Sequence, residues 1–339
     1  MTLRTADRPT VYILHENPEW LPPFTRALDE AGVPWVDWEL SSGSIDLTQA
    51  PPEGIFWSRL SASSPSRGHA HAKEVARSVL RWVEAAGRRV INGSGVIEFE
   101  VSKVAQYVAL AAEGFDVPRT VAVFGREELV ERAQTLPAPF ITKHNQGGKG
   151  LGVRRFDSQE DFAAYATGDD FEEPIDGVTL LQEHLVAAEP FVTRAEFIGG
   201  RFVYAVRVDT SGGTFELCPA EACAVPPAGF APAVCEVPGA EAAQPIELQA
   251  PAPLFTERTE ITAAHPLIVR LEAFLAARGI EIAGVEFFET ADGRVVPYDI
   301  NTNTNYSPDV EAANGYRAAN AVSALLAGEL AERYAAAAV

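Results

Sequence analysis

Near its C-terminal end the chain carries an acidic stretch, Gly284-Val285-Glu286-Phe287-Phe288-Glu289-Thr290-Ala291-Asp292-Gly293-Arg294-Val295-Val296-Pro297-Tyr298-Asp299-Ile300-Asn301. Two β-rich, period-2 runs flank Asp292-Gly293, the signature of a hairpin with a two-residue turn. With those two residues as the loop, Ala291 faces Arg294 and Glu286 falls directly opposite Asp299. Asn301, two residues further on, shares their face. Two carboxylates facing each other across an antiparallel pair repel, and a bound cation reverses the sign. Two carboxylates and an amide oxygen form a hard, all-oxygen donor set that suits magnesium. The bland alternative is a solvated face on which like charges are merely tolerated.

Such a face needs a frame. The chain has 339 residues, enough for two or three domains with an ample core. Its composition, 47% hydrophobic and 22% charged, is that of an ordinary soluble globular protein. A net charge of −20 argues against a protein that works on nucleic acid or at an anionic membrane. Any anionic ligand must then be held by local basic groups. No apolar run reaches spanning length, and the first nine residues are polar, with no signal-peptide core. Three cysteines, Cys218, Cys223 and Cys235, form an odd, sparse set that reads as reduced and cytoplasmic and makes a poor zinc site.

Strands are expected at 11–14, 35–40, 54–57 and 89–91, with helices at 20–31 and 71–86 between them. This alternation predicts an open α/β unit. Its first turn, His15-Glu16-Asn17-Pro18, lacks the GxGxxG of a dinucleotide site. The third strand runs into a hydroxyl-rich loop holding Arg59, Ser61, Ser63 and Arg67, at the edge where open α/β sheets bind ligands. A helix with Lys103 off its apolar stripe follows at 96–112. A strand at 139–143 ends in Lys143 and leads into a loop with Gly147, Gly148, Gly150 and Gly152. Ser158 with Asp161 marks a capping-box variant, and a strand at 178–181 ends in Gln182-Glu183-His184-Leu185. Strands at 191–197 and 201–208 flank Gly199-Gly200. With those glycines as the loop, Arg194 and Arg207 share a face. A Pro- and Ala-rich stretch over 224–264 reads as a long inserted loop or flap. A helix at 266–278 leads into the acidic hairpin, and an Ala-rich helical stretch ends the chain.

A helix lysine, a strand lysine with a glycine loop, a strand ending in Gln182–Leu185 and an acidic hairpin closing in Asp299-Ile300-Asn301 stand in one order. This order resembles the ATP-grasp superfamily, and within it the RimK-like and glutathione-synthase-like carboxylate–amine ligases. The resemblance covers residues from about 92 to the end. It implies an α/β chain, α+β within the ATP-grasp unit. Residues 1–97 would form an open α/β pre-ATP-grasp domain, and 98–339 the ATP-grasp unit with a small lid over about 117–185. It implies an enzyme that uses ATP and Mg2+, with Mn2+ as a substitute, to join a small-molecule or peptide carboxylate to an amine through an acyl phosphate. A homo-oligomer is compatible with it.

The same resemblance implies site roles. Lys103, Lys143 and the loop glycines would hold phosphates, and Gln182, Glu183, His184 and Leu185 the adenine. Glu286, standing where many relatives have Asp, would hold the metal with Asp299 and Asn301. Arg194 and Arg207 would meet the transferred phosphoryl group. Arg59, Ser61, Ser63 and Arg67 are left to select the substrate, with the arginines suggesting a carboxylate. A phosphotransferase on the same frame and a nucleotide-binding protein without turnover are the alternatives.

Overall fold

The computed structural model describes residues 8–148, 150, 152–210 and 254–334. Cys218, Cys223, Cys235 and the Pro-rich stretch up to residue 253 lie outside the described residues. Three sheets organise the rest. The first is parallel, in the order β2-β1-β3-β4, from Thr10–His15 (β1), Trp35–Glu39 (β2), Gly54–Arg59 (β3) and Arg89–Ile91 (β4). Every residue of β1 and β3 is buried, as expected of strands covered on both faces. The helix Ala72–Ala85 (α2) covers one face through Val79, Leu80 and Val83. The other face is covered by Pro22–Glu30 (α1) together with the C-terminal helix Ala318–Tyr334 (α9), whose Val322 and Leu326 pack on Val11, Ile13 and Trp57. The end of the chain thus completes the core of its beginning.

The second sheet is antiparallel, in the order β5-β8-β6-β7, from Thr120–Phe124 (β5), Phe140–His144 (β6), Arg154–Phe156 (β7) and Val178–Glu183 (β8). Leu129–Ala133 (α5) and Gln159–Thr167 (α6) close its core of Phe140, Phe156 and Phe162. Ser158 caps α6, its hydroxyl accepting from the Asp161 N–H at 3.0 Å, as the sequence predicts. The 96–112 segment is not one helix. Ser102 leaves helical geometry at φ −144°, ending Ile97–Val101 (α3) and capping Lys103–Ala112 (α4) by accepting from Ala105 N–H.

The largest sheet orders β11-β10-β9-β12-β13 from Phe191–Ile198 (β9), Arg201–Asp209 (β10), Phe255–Glu257 (β11), Ile282–Glu289 (β12) and Val295–Asn301 (β13). β11 falls within the stretch expected to be an insert, so that stretch rejoins the sheet before residue 264. One face of this sheet packs on α4 and on the helix Pro266–Arg278 (α7) through Ala195, Phe197, Val285 and Phe287. The opposite face looks into a cavity. After β13 the chain runs through 302–307 into a short helix, Pro308–Asn314 (α8).

Two bulges decide which residues face that cavity. Gly199 and Gly200, at φ 61° and 68°, form the tight turn expected between β9 and β10. The register then slips between Phe202 and Tyr204, so Arg207 pairs with Thr193 rather than Val192. A slip of one residue moves a side chain to the other face. Arg207 therefore lies opposite Arg194, which corrects the expectation that they share a face. In the β12–β13 hairpin Glu289 pairs with Val295, so residues 290–294 form the connection rather than Asp292-Gly293 alone. A second bulge, at Tyr298, cancels that offset and restores Glu286 opposite Asp299.

Candidate active site

Pairing across β9, β12 and β13 sets Arg194, Glu286 and Asp299 in one row and Glu196, Gly284 and Asn301 in the next. Arg194, Glu286, Asp299 and Asn301 line a cavity of about 750 Å3 that the β5–β8 sheet also borders, in the size range of a small-molecule site. The facing carboxylates are not left to repel each other. Arg194 Nη1 donates to Glu286 at 3.2 Å, and Lys103 Nζ donates to Asp299 at 3.1 Å. Burial would raise Asp299, but Lys103 and Lys143 outweigh it and hold the carboxyl below its ordinary range. Burial, and after it the neighbouring Asp299, pushes Glu286 up despite Arg194. Tyr298, turned inward by its bulge, donates its hydroxyl to Glu286 at 2.6 Å. Asn301 Nδ2 donates to Glu286 at 3.4 Å. Two carboxylates and an amide are the hard donors that magnesium takes beside phosphate oxygens, so this set fits the ion. Among the described residues no group of three or more His, Cys, Asp or Glu side chains gathers elsewhere to compete for a metal.

Arg194 is the most constrained cation of the site. Besides Glu286 it reaches Glu196 from Nε at 2.7 Å and Thr304 from Nη2 at 2.6 Å. Its guanidinium lies over Gly284, where an added Cβ would stand 2.7 Å from Nε. Thr304 in turn donates to Glu196 at 2.8 Å. Glu196 is 2% exposed and was not singled out in the sequence. Its signal was there, two residues after Arg194 on a period-2 strand.

The β5–β8 sheet and α4 supply the other expected groups. Lys143, on β6, donates to the Tyr107 hydroxyl at 3.1 Å, and burial lowers its pKa while Asp299 and Glu286 pull it back up. Lys103 opens α4 beside its Ser102 cap and also donates to the Gly147 carbonyl at 3.3 Å. Gly147, Gly148 and Gly150 line the cavity. Gly152 does not line it. A Cβ there would strike the His144 ring, which makes Gly152 a packing residue. Gln182, Glu183, His184 and Leu185 all border the cavity. The Glu183 N–H is taken by the Arg119 carbonyl at 2.9 Å, so it has no donor left for a base. Arg207 is absent from the lining and sits on Phe191 at 4.2 Å, beside Glu189 at 3.8 Å.

Of the four residues expected to select substrate, Ser61 and Ser63 border the cavity and the two arginines do not. Arg59 is 3% exposed, lies on the rings of Phe24 and Trp57, and bonds Asn305 Oδ1 at 2.9 Å and the Thr304 carbonyl at 3.4 Å. Burial lowers its pKa to about 10. Arg67 is neutralised by the buried Glu16, at 2.5 and 3.1 Å, and donates to Ser63 at 3.0 Å. The reason is local: Glu16, the residue after β1, meets the loop after β3, and an aromatic pocket draws Arg59 inward.

No protein-family model and no curated protein matches the chain. Solved structures do match over nearly its whole length. A RimK domain ATP-grasp protein from Sphaerobacter thermophilus aligns at TM-score 0.61 and 14% identity, over 94% of this chain and 99% of its own. The ATP-grasp ligase PsnB, complexed with a minimal precursor, Mg and ADP, aligns at 0.61 and 14%, over 97% and 100%. D-alanyl-alanine synthetase A from Vibrio cholerae aligns at 0.61 and 13%, over 96% and 99%. The chain therefore has the ATP-grasp fold.

Proposed function

We propose that the chain is an ATP-dependent carboxylate–amine ligase. The observation that carries this reading is the row Arg194–Glu286–Asp299, lying with Lys103 and Asn301 on one cavity wall and facing Lys143 and a glycine loop on the other. Residues 1–97 would be the pre-ATP-grasp unit and 98–339 the ATP-grasp unit. Lys103, Lys143 and the backbone of Gly147, Gly148 and Gly150 would hold the phosphates, and residues 182–185 the base. Glu286, Asp299 and Asn301 would hold Mg2+, which supplies charge neutralisation at the phosphates. PsnB binds Mg and ADP on the same fold, which supports that assignment.

A substrate carboxylate attacks the γ-phosphorus, giving an acyl phosphate and ADP. An amine then attacks the acyl carbon and phosphate leaves, forming an amide. Arg194, held by Glu196, Glu286 and Thr304, would set its positive charge beside the oxyanions as they develop. No protein nucleophile is required, and alignment with electrostatics does the work. The carboxylate is read as a small molecule or peptide, in a cytoplasmic setting. Among the described residues no helix is long and apolar enough to cross a membrane.

A screen of purified protein with Mg-ATP against pooled amino acids and short peptides tests the reading. ADP release that requires both a carboxylate and an amine is expected. ADP release without an amine, accompanied by a stable phosphorylated product, would identify a phosphotransferase instead.

A further inference from the structure

On the cavity wall, the loop after β3 and the loop after β13 lie side by side. Glu100, on α3, clamps them together. Its carboxylate accepts from Ala62 N–H at 3.0 Å, Thr302 N–H at 2.7 Å, Thr302 hydroxyl at 2.9 Å and Asn303 N–H at 3.2 Å. Ser61, Ser63 and Asn303 all border the cavity there.

The hydrogen-bonding capacity of these three residues is unfilled in a definite way. Arg67 donates to Ser63 Oγ at 3.0 Å, and the Ser63 N–H donates to Ser61 Oγ at 3.2 Å. Both donors are obligate. The two hydroxyls lie 2.9 Å apart, and the bond between them uses one hydroxyl proton whichever serine gives it. The other proton then has no protein acceptor among the described residues. Asn303 adds a second vacancy: its amide nitrogen and oxygen are both buried and bonded to nothing among the described residues. Buried polar groups without partners are rare and call for a ligand or water. Turning the Asn303 amide over does not change this, because one donor and one acceptor stay free either way.

We propose that Ser61, Ser63 and Asn303 form a subsite for a neutral amide of the substrate, a peptide or carboxamide unit whose carbonyl accepts from the donors while its N–H donates to the Asn303 oxygen. The inference rests on the ligase reading of the cavity. It concerns the part of the substrate held beside the reacting carboxylate, and it replaces the expectation that a carboxylate is recognised there. A carboxylate would offer no proton to the Asn303 oxygen. It would also lie near Glu100 with Arg59 turned inward and Arg67 already paired with Glu16.

The test uses the full chain, with and without Mg-ADP. A panel of N-acetyl amino-acid amides and the matching N-acetyl free acids is titrated by saturation-transfer NMR. Amides are expected to bind, with matching acids weaker by about tenfold or more. The Ser61→Ala/Ser63→Ala double variant and Asn303→Leu should each lose about tenfold in amide affinity, with melting temperature as the folding control. Acids binding as well as amides, absence of amide binding, or amide affinity unchanged in folded variants would overturn the proposal. If the variants do not fold, the wild-type preference for amide over acid decides alone. Mg-ADP binding without amide binding sinks this subsite and leaves the ligase reading in place. Amide binding without Mg-ADP binding does the reverse.

Discussion

Glu196 and Gly284 act on Arg194 from two sides, and each yields a prediction. Gln in place of Glu196 keeps the shape but removes the charge facing Arg194 Nε. Losing a buried charge-assisted hydrogen bond costs about 1.5–3 kcal/mol. Glu196→Gln should lower the melting temperature and kcat, while the KM for ATP hardly moves. An unchanged kcat would mean that Arg194 does not depend on Glu196. Gly284→Ala is sharper, because the new methyl group would stand 2.7 Å from Arg194 Nε and must displace the guanidinium. Turnover should fall roughly a hundredfold, the usual cost of a misplacement near 1 Å, with Mg-ADP affinity intact by calorimetry. Equal loss of both would show general damage to the sheet. Much at this scale was legible in the sequence. Glu286 opposite Asp299 follows from strand period and turn chemistry, although the true connection is longer and the Tyr298 bulge restores the pairing. The company these carboxylates keep was not legible. Lys103 and Arg194 come from other elements, so the repulsive face expected from local pattern is compensated within the protein.

The elements that hold the site rely on contacts distant in sequence. Arg89, on β4, bonds Glu329, on α9, at 2.8 Å and also pairs with Glu281, the residue before β12. This ties the parallel sheet, the large sheet and the C-terminal helix together. The hydrogen bond from Arg89, foremost, depresses Glu329 below its ordinary 4.5. A carboxylate depressed in the folded state adds stability above its unfolded pKa and loses it as pH falls through the folded one. Glu329→Gln should therefore be less stable than wild type at pH 7, and the difference should close as pH drops below 4.5. Denaturant midpoints across that range measure it, and a gap that stays constant with pH would show that the Glu329 charge does not stabilise the fold. At this scale strand and helix order followed from periodicity and from Gly and Pro punctuation. The β10 slip at Val203 did not, because nothing in Arg201–Asp209 marks which residue will be extra. That one slip removed Arg207 from the site. Ser102 was readable as a helix cap, but an apolar stripe running through 101, 104 and 108 hid the break.

Across the whole molecule, the loop after β6 is joined to the parallel-sheet unit. Lys73, on α2, donates to Gln146 at 2.7 Å, and a Cβ on Gly148 would come within 3.3 Å of Ser63. The glycine loop after β6 and the loop after β3 therefore lie against each other. Lys73→Ala should speed hydrogen exchange over residues 144–148 in the free protein, and Mg-ADP should narrow the difference. Equal exchange in variant and wild type would show that the contact holds nothing. In the proposed reaction a carboxylate is activated by phosphoryl transfer on this frame. Once the screen yields a substrate pair, its carboxylate can be labelled with heavy oxygen and the released phosphate examined by mass spectrometry. Amide, ADP and phosphate are expected in equal amounts, with one labelled oxygen carried into the phosphate. Phosphate without label, or label retained in a stable phosphorylated product, would contradict it.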